Sequence, residues 1–241
     1  LMIMKKYANY KDSEVEWIGE IPIAWDMVPV SLLFEIGRGR VISNEEILDN
    51  NGIYPVYSSQ TTADGIMGYI NTFDFEGEYL TWTTDGANAG TVFYRNGKFN
   101  CTNVCGTLKS KRKSLDLNYA LYALANCTKP FVRLDINPKL MNGVMAKIRI
   151  PLPKSVLEQR AISTYLDAKC AEIDDLIKKK EELVRLLELK RQAVINEAVT
   201  KGLNSKVKMK DSGVEWIGEV PEHWSIYKGS RIGDFYKGSG V

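Results

Sequence analysis

From Gly37 to Arg40 the chain reads Gly-Arg-Gly-Arg, setting Arg38 and Arg40 beside residues that lack a Cβ. Glycines there let backbone approach a ligand closely, and the two guanidinium groups offer planar, forked hydrogen-bond donors. Further polar stretches follow: Ser58-Ser59-Gln60-Thr61-Thr62, then Thr83-Thr84-Asp85 with Asn88, then a basic run of Lys109, Lys111, Arg112 and Lys113. Lys139, after Asn137-Pro138, adds one more cation. Arginine pairs with guanine edges, asparagine and glutamine pair with adenine, and hydroxyls and ammonium groups anchor phosphates. The chemistry on offer is therefore recognition of double-stranded DNA. Its candidate contacts are Arg38, Arg40, Ser59, Gln60, Thr61, Thr83, Thr84, Asp85, Asn88, Lys111, Arg112 and Lys139. Each stretch alone has a plainer reading, since glycine-rich polar loops and lysine runs are common as solvated connections.

Catalytic chemistry finds no comparable footing. The chain has 1 histidine, His223, so one chain builds neither a histidine triad nor a histidine metal site. There is no phosphate-binding G-x-x-x-x-G-K-[ST] loop, and Gly37-Arg38-Gly39 lacks the third glycine of a dinucleotide fingerprint. Asn137-Pro138-Lys139 departs at its third place from the N-P-P-[YF] of adenine methyltransferases. Glu188-Leu189-Lys190 matches half of a nuclease motif, but it falls in the middle of a long helical pattern. Cys101 and Cys105 are four apart with no further ligands near them, which favours packing over metal binding. The expectation is no catalytic residue, no metal and no cofactor of the chain's own.

The bulk properties set loose bounds. At 241 residues, 44% apolar and 26% charged, the chain has room for one or two domains with ordinary cores. No apolar run reaches the roughly 18 residues of a membrane span, and the start has no secretory-signal pattern. The 4 cysteines, without C-x-x-C spacing, read as buried or free thiols in a reducing cytoplasm. The net charge of +2 makes any nucleic-acid surface a local patch instead of a global field.

Several elements must position these residues. Val92–Arg95 and Lys98–Cys101 flank Asn96-Gly97, the dipeptide most suited to a tight hairpin turn, so a β-hairpin is expected there. Ile53–Tyr57, Gly68–Ile70 and Glu78–Thr83 are further strand candidates, Leu117–Ala125 a helix and Thr83–Gly90 a loop. The fold class is α+β: a globular mixed domain followed by a long coiled-coil helix. Pro151-Leu152-Pro153 closes the domain, and no proline or glycine then occurs until Gly202. Ser155 with Glu158 has the pattern of a helix-start capping box, and Gly202 sits where a helix should stop. Between them Leu166, Ile173, Leu187 and Val194 recur at heptad spacing, interrupted by Lys180, while Leu176 and Leu183 widen the stripe. A helix of about 45 residues spans about 65 Å and cannot bury such a stripe alone, so it calls for a partner helix.

The chain also repeats itself. Lys11–Trp25 reads KDSEVEWIGEIPIAW and Lys210–Trp224 reads KDSGVEWIGEVPEHW, identical at eleven of fifteen aligned positions. The copies start 199 residues apart, so a whole domain has been duplicated, not a solenoid unit. The tryptophans of W-I-G-E-[IV]-P-x-x-W suit a docking segment better than a base-stacking platform.

Asp211–Trp224 resembles the opening segment of specificity (S) subunits of type I restriction-modification systems. Ile150–Pro153, Glu158–Ile162, Tyr165-Leu166-Asp167 and Ile173-Asp174 resemble that family's spacer helix, as does its exit Glu197–Leu203. The resemblance implies a target-recognition domain over residues 1–152, a spacer helix over 153–203 and the truncated start of a second recognition domain over 204–241. It implies a non-catalytic DNA-binding subunit that reads one half of a bipartite target. Modification subunits would dock on the helix and bring S-adenosylmethionine for adenine methylation. A restriction subunit would bring ATP, Mg²⁺ and cleavage. Two copies paired through Leu166–Val199, or a second half-subunit, would restore two recognition domains. The rival readings are a coiled-coil interaction protein, a non-functional fragment without independent DNA recognition, and an enzyme in its own right.

Overall fold

Two four-stranded sheets carry the polar stretches. The computed structural model describes residues 7–133, 137–204 and 206–233. The chain divides into two units, Leu1–Lys169 and Cys170–Val241. In chain order the first unit opens with β1 (Tyr10–Asp12), β2 (Glu20–Pro22), β3 (Asp26–Pro29), the single turn α1 (Val30–Leu33), β4 (Phe34–Arg38) and α2 (Asn44–Asp49). Then come β5 (Asn51–Tyr57), β6 (Ile66–Ile70), β7 (Phe75–Glu76), β8 (Tyr79–Thr83), β9 (Val92–Arg95), β10 (Lys98–Cys101) and β11 (Cys105–Ser110). Helix α3 (Leu117–Cys127), the turn α4 (Asn142–Met145) and β12 (Arg149–Leu152) lead into the long helix α5 (Val156–Lys201). The mixed α+β domain and the long helix expected from the sequence are both present.

The first sheet has the order β4–β11–β8–β9 and is antiparallel throughout. Its apolar face sets Phe34, Leu80, Trp82 and Leu108 against Tyr119, Ala120 and Leu124 of α3, forming the main core. Trp82 is fully buried and its indole N–H donates to the Leu140 carbonyl at 2.9 Å. The ring lies over Gly106, where a Cβ would come within 2.3 Å of it, so only glycine fits on β11 there. Asp116 caps α3, its side chain accepting the Tyr119 N–H at 2.8 Å.

The second sheet has the order β6–β5–β10–β7, with β5 and β10 parallel. A smaller core of Tyr57, Tyr79, Phe99, Cys101 and Cys105 draws on strands of both sheets. Here the structure corrects the hairpin expected at Asn96-Gly97. Both strands exist, but β9 pairs with β8 and β10 pairs with β5 and β7, so the turn hands the chain from one sheet to the other. A tight two-residue hairpin turn needs positive φ at both central residues. Only Gly97 has it, at +98°, and it exchanges backbone hydrogen bonds with Gly77 across the β7–β10 pair. Burial of Phe99 against Phe75, stacked at 5.3 Å, draws β10 into the second sheet.

The start of α5 is fastened to the domain by polar contacts. Gln159 is buried; its oxygen accepts the Asp116 N–H at 2.8 Å and its amide donates to the Pro153 carbonyl at 2.9 Å. Glu158 accepts from the Tyr7 hydroxyl at 2.6 Å and the Trp25 indole at 3.0 Å. Trp25 also meets Tyr119 edge-on, and Trp17 meets Phe131 edge-on at 5.2 Å, so both tryptophans of the first repeat pack as structure.

The second unit contains the rest of α5 and a hairpin of β13 (Met209–Asp211) and β14 (Glu219–Pro221). The helix stops at Gly202, whose φ of +73° no longer continues it. Along it Ile173, Leu176, Leu183, Leu187 and Val194 are each 53–55% exposed, whereas Leu166, in the first unit, is half-buried. The second hairpin repeats the first in register: Lys11 faces Ile21, and Lys210 faces Val220. Ser13 and Ser212 each donate their N–H at 2.9 Å to the glycine six residues on, Gly19 and Gly218. Among the described residues no helix is long and apolar enough to cross a membrane.

Candidate nucleic-acid interface

The C-terminal ends of β4, β5, β8 and β10 and the start of β11 meet at one edge of the first unit. Arg38 lies opposite Gly106 at the end of β4, and Cys105 lies opposite Thr83 at the end of β8. Arg40 bridges to Thr102, whose N–H donates to the Tyr57 carbonyl at 2.8 Å. Residues 138–140 lie along residues 84–86, with Gly86 N–H to Pro138 O at 3.0 Å and Leu140 N–H to Thr84 O at 2.9 Å. Five segments distant in sequence thus share one rim.

Asp85 is the hub of that rim. Its carboxylate lies 3.5 Å from Arg38 and 3.5 Å from Lys139, and it accepts the Thr84 hydroxyl at 2.8 Å. Arg38 also donates to the carbonyl of Asn103, an exposed residue at the bend between β10 and β11. Asn88 donates its amide to the Thr61 hydroxyl at 3.1 Å, joining the 58–62 stretch to the 83–90 turn. Exposed Gln60 donates its amide to the Ile66 carbonyl, while Ser59 is half-buried beside it.

Three of the expected contacts have other employment. Thr83 and Thr84 are buried; the Thr83 hydroxyl donates to the Asn88 carbonyl and accepts from Thr91, shaping the turn that presents Asn88. Arg40 spends its guanidinium on Glu46 at 2.6 and 3.0 Å and on Asp74 at 3.0 Å, tying α2 to the loop before β7. The Arg40 guanidinium in turn holds the Glu46 carboxyl below the usual carboxylate range. Lys111 and Arg112 do not join the rim at all. They follow the far end of β11, five residues beyond Gly106 or about 17 Å along a strand. Lys111 donates to the Ser31 carbonyl at 2.9 Å, and Arg112 lines a cleft with Asp26, Ser114 and Lys154.

One residue escaped sequence reasoning. Arg95 at the end of β9 has a side chain only 2% exposed, held between the rings of Tyr57 at 3.7 Å and Phe93 at 4.6 Å. It donates to the Asp64 carboxylate and to the Asp64 carbonyl, each at 2.7 Å. Asp64 sits in a left-handed run with φ of +49° at Ala63, +55° at Asp64 and +77° at Gly65. Two such non-glycine residues cost roughly 1–2 kcal/mol each, so the clamp offsets real strain. The expected hairpin set Arg95 at the last strand position before its turn, where a charged side chain is ordinarily solvated. Its signal was the alternation of β9, which puts Arg95 on the same face as Phe93.

The rim offers guanidinium, ammonium, amide and hydroxyl groups around a partly buried carboxylate. That set hydrogen-bonds and neutralises charge; it contains no activated nucleophile. The Cys101 and Cys105 thiols are buried against each other, and that contact together with burial pushes the Cys101 thiol well up. Among the described residues no group of three His, Cys, Asp or Glu side chains is placed to hold a metal ion.

Comparison with known proteins identifies the family and the fold. The family model of the type I restriction modification DNA specificity domain matches residues 22–186. The specificity subunit of the type I restriction enzyme MpnII from Mycoplasma pneumoniae is 41% identical over 162 residues, 65% of this chain and 49% of its own. Another M. pneumoniae chain, provisionally named the N-terminus of a type I specificity subunit, is 47% identical over 134 residues, 55% of this chain and 71% of its own. The crystal structure of a type I restriction-modification S subunit from M. genitalium aligns with a TM-score of 0.55 at 18% identity, over 82% of this chain and 48% of that one. A structure from work on assembly and conformational transition of the type I system aligns with a TM-score of 0.63 at 21% identity, over 76% of this chain and 47% of that one. At these identities the structures share the fold, and the present chain spans about half their length.

Proposed function

Because the chain belongs to the type I restriction-modification DNA specificity family, we propose that its first unit reads one half of a bipartite DNA target through the rim around Asp85. The observation that carries this reading is the convergence of Arg38, Lys139, Asn88, Thr61 and Gln60 from separate segments onto one edge. In the free chain Asp85 occupies Arg38 and Lys139. A phosphate or a guanine edge supplies equivalent acceptors, so binding exchanges one set of charge-assisted hydrogen bonds for another. The locally balanced charge keeps the affinity for arbitrary DNA modest, and specificity then rests on geometry.

The chain itself performs no chemistry in this reading. Modification subunits dock on α5 and supply S-adenosylmethionine; the restriction subunit supplies ATP-driven cleavage with Mg²⁺; the setting is the cytoplasm. The half-exposed stripe of Ile173, Leu176, Leu183, Leu187 and Val194 supports an antiparallel pairing with a second copy or a second half-subunit, giving two recognition domains. Sequencing adenine methylation in cells with and without the gene tests the assignment. A split motif that disappears with the gene is expected, and an interrupted palindrome marks pairing of identical copies. Unchanged methylation in the presence of intact modification subunits sinks the assignment.

A further inference from the structure

We propose that Arg95 is a positioning residue for half-site reading: its buried guanidinium fixes the left-handed turn 63–65 and thereby sets where Ser59, Gln60 and Thr61 stand on the DNA-facing edge. This rests on the rim being a DNA-reading surface. The loop leaves β5 at Tyr57 and re-enters β6 at Ile66, closed at its base by Ser58 N–H to Gly65 O at 2.9 Å. Nothing apolar anchors its tip: residues 60–64 are all exposed. Three consecutive positive φ values would relax in a free loop. The Gly65 N–H to Thr62 carbonyl bond at 2.9 Å and the Gln60 bond to the Ile66 carbonyl close the turn on itself, and what ties Asp64 to the domain is Arg95, which grips both its side chain and its carbonyl at 2.7 Å.

The placement of Arg95 is costly in a way that packing alone does not explain. A charged group with a buried Nε that lacks a hydrogen-bond partner sits between the sheets where a leucine or methionine would fill the space more simply. Its two aromatic faces, Tyr57 and Phe93, fix the guanidinium plane, so the fork is aimed before the loop arrives. Gly65 completes the device: a Cβ there would come within 3.1 Å of the Arg95 Nη2. The loop then reaches the rim through Thr61, which accepts the Asn88 amide at 3.1 Å. Arg95 touches no DNA in this arrangement and acts through the residues it positions.

The test uses the full chain assembled with its modification subunits and a duplex DNA library randomised over the recognition window. Wild type, Arg95→Met, Arg95→Lys and Asp64→Asn are each taken through selection, and bound sequences are ranked. Arg95→Met is expected to lose about tenfold discrimination at the base pairs facing the loop and to keep its preference at those facing Arg38. Arg95→Lys, with charge but no fork, recovers part of it. A merely structural arginine lowers binding to every sequence in proportion and leaves the ranking intact, which overturns the proposal. Should Arg95→Met fail to fold, Asp64→Asn decides: it is an exposed change that keeps the carbonyl contact, and an unaltered ranking again counts against the role. If wild type itself prefers no sequence, the reading of the rim falls, and Arg95 with it. Discrimination in wild type with identical ranking in every variant removes the positioning role alone.

Discussion

Arg38 and Lys139 share Asp85 but differ in what they offer a duplex. Arg38 has a fork that matches the two acceptors of guanine, whereas Lys139 is a flexible point charge. Arg38→Ala is therefore expected to cost about 1–3 kcal/mol on the preferred sequence and to relax choice at one base pair. Lys139→Ala should weaken all sequences alike and lower the salt slope by about 1. Anisotropy titrations at several salt concentrations separate the two; equal, sequence-independent losses from both would remove base reading from Arg38. A second residue-scale expectation concerns Glu14, which holds φ at +60° where the repeated segment has Gly213 at +71°. Glu14→Gly removes a left-handed penalty and gives up only an exposed pair with Arg149 at 3.3 Å. A gain of about 0.5–1 kcal/mol is expected by denaturant unfolding, and a loss would show that the ion pair outweighs the backbone.

Elements were legible wherever local chemistry decided them. The stop at Gly202, the strands around Ile53–Tyr57 and Glu78–Thr83 and the helix from Leu117 follow from turn residues and periodicity, and all are present. Asn96-Gly97 misled because strand partners are chosen by long-range burial, here of Phe99, and not by the turn. The same limit governs the site. Arg38, Asn88, Thr61 and Lys139 were recognisable by type, but only pairing across the sheet separates them from Lys111 and Arg112 at the far end of β11. The contact of the N-terminal segment with α5 carries a pH signature. Burial, then the hydrogen bond to Glu158, pushes the Tyr7 hydroxyl up to about 12. Its neutral form is the one the fold holds, so this contribution is complete below the ordinary tyrosine pKa of about 10 and fades as pH rises from there toward 12. Tyrosinate absorbance should show a late component from Tyr7 beside those of Tyr94, which its hydrogen bond to Glu78 also pushes up to about 12, and of buried Tyr119; Tyr7→Phe removes that component and Glu158→Gln moves it down, and late titration unchanged in Glu158→Gln contradicts the contact.

At the scale of the molecule, α5 is the element whose physics is unfinished. Its 46 residues give a length of about 69 Å at the usual rise per residue. The stripe from Ile173 to Val194 leaves half of each apolar side chain in water. Pairing with a second helix buries it, and sedimentation at micromolar concentration is expected to show a species of twice the chain mass. Leu176→Lys with Leu183→Lys should return the monomer without loss of helix signal. A wild-type monomer, persisting when modification subunits are added, would rule the pairing out.

The duplicated hairpin supplies its own optical probe. Trp17 and Trp216 hold the same place in the two copies, yet Trp17 is 45% exposed beside Phe131 while Trp216 is 84% exposed. Trp82, sealed in the core, emits to the blue of both and is shielded from collisional quenchers. Iodide thus silences Trp216 first. Anything that comes to rest on the second hairpin registers as a loss of quenching, with no label added to the chain.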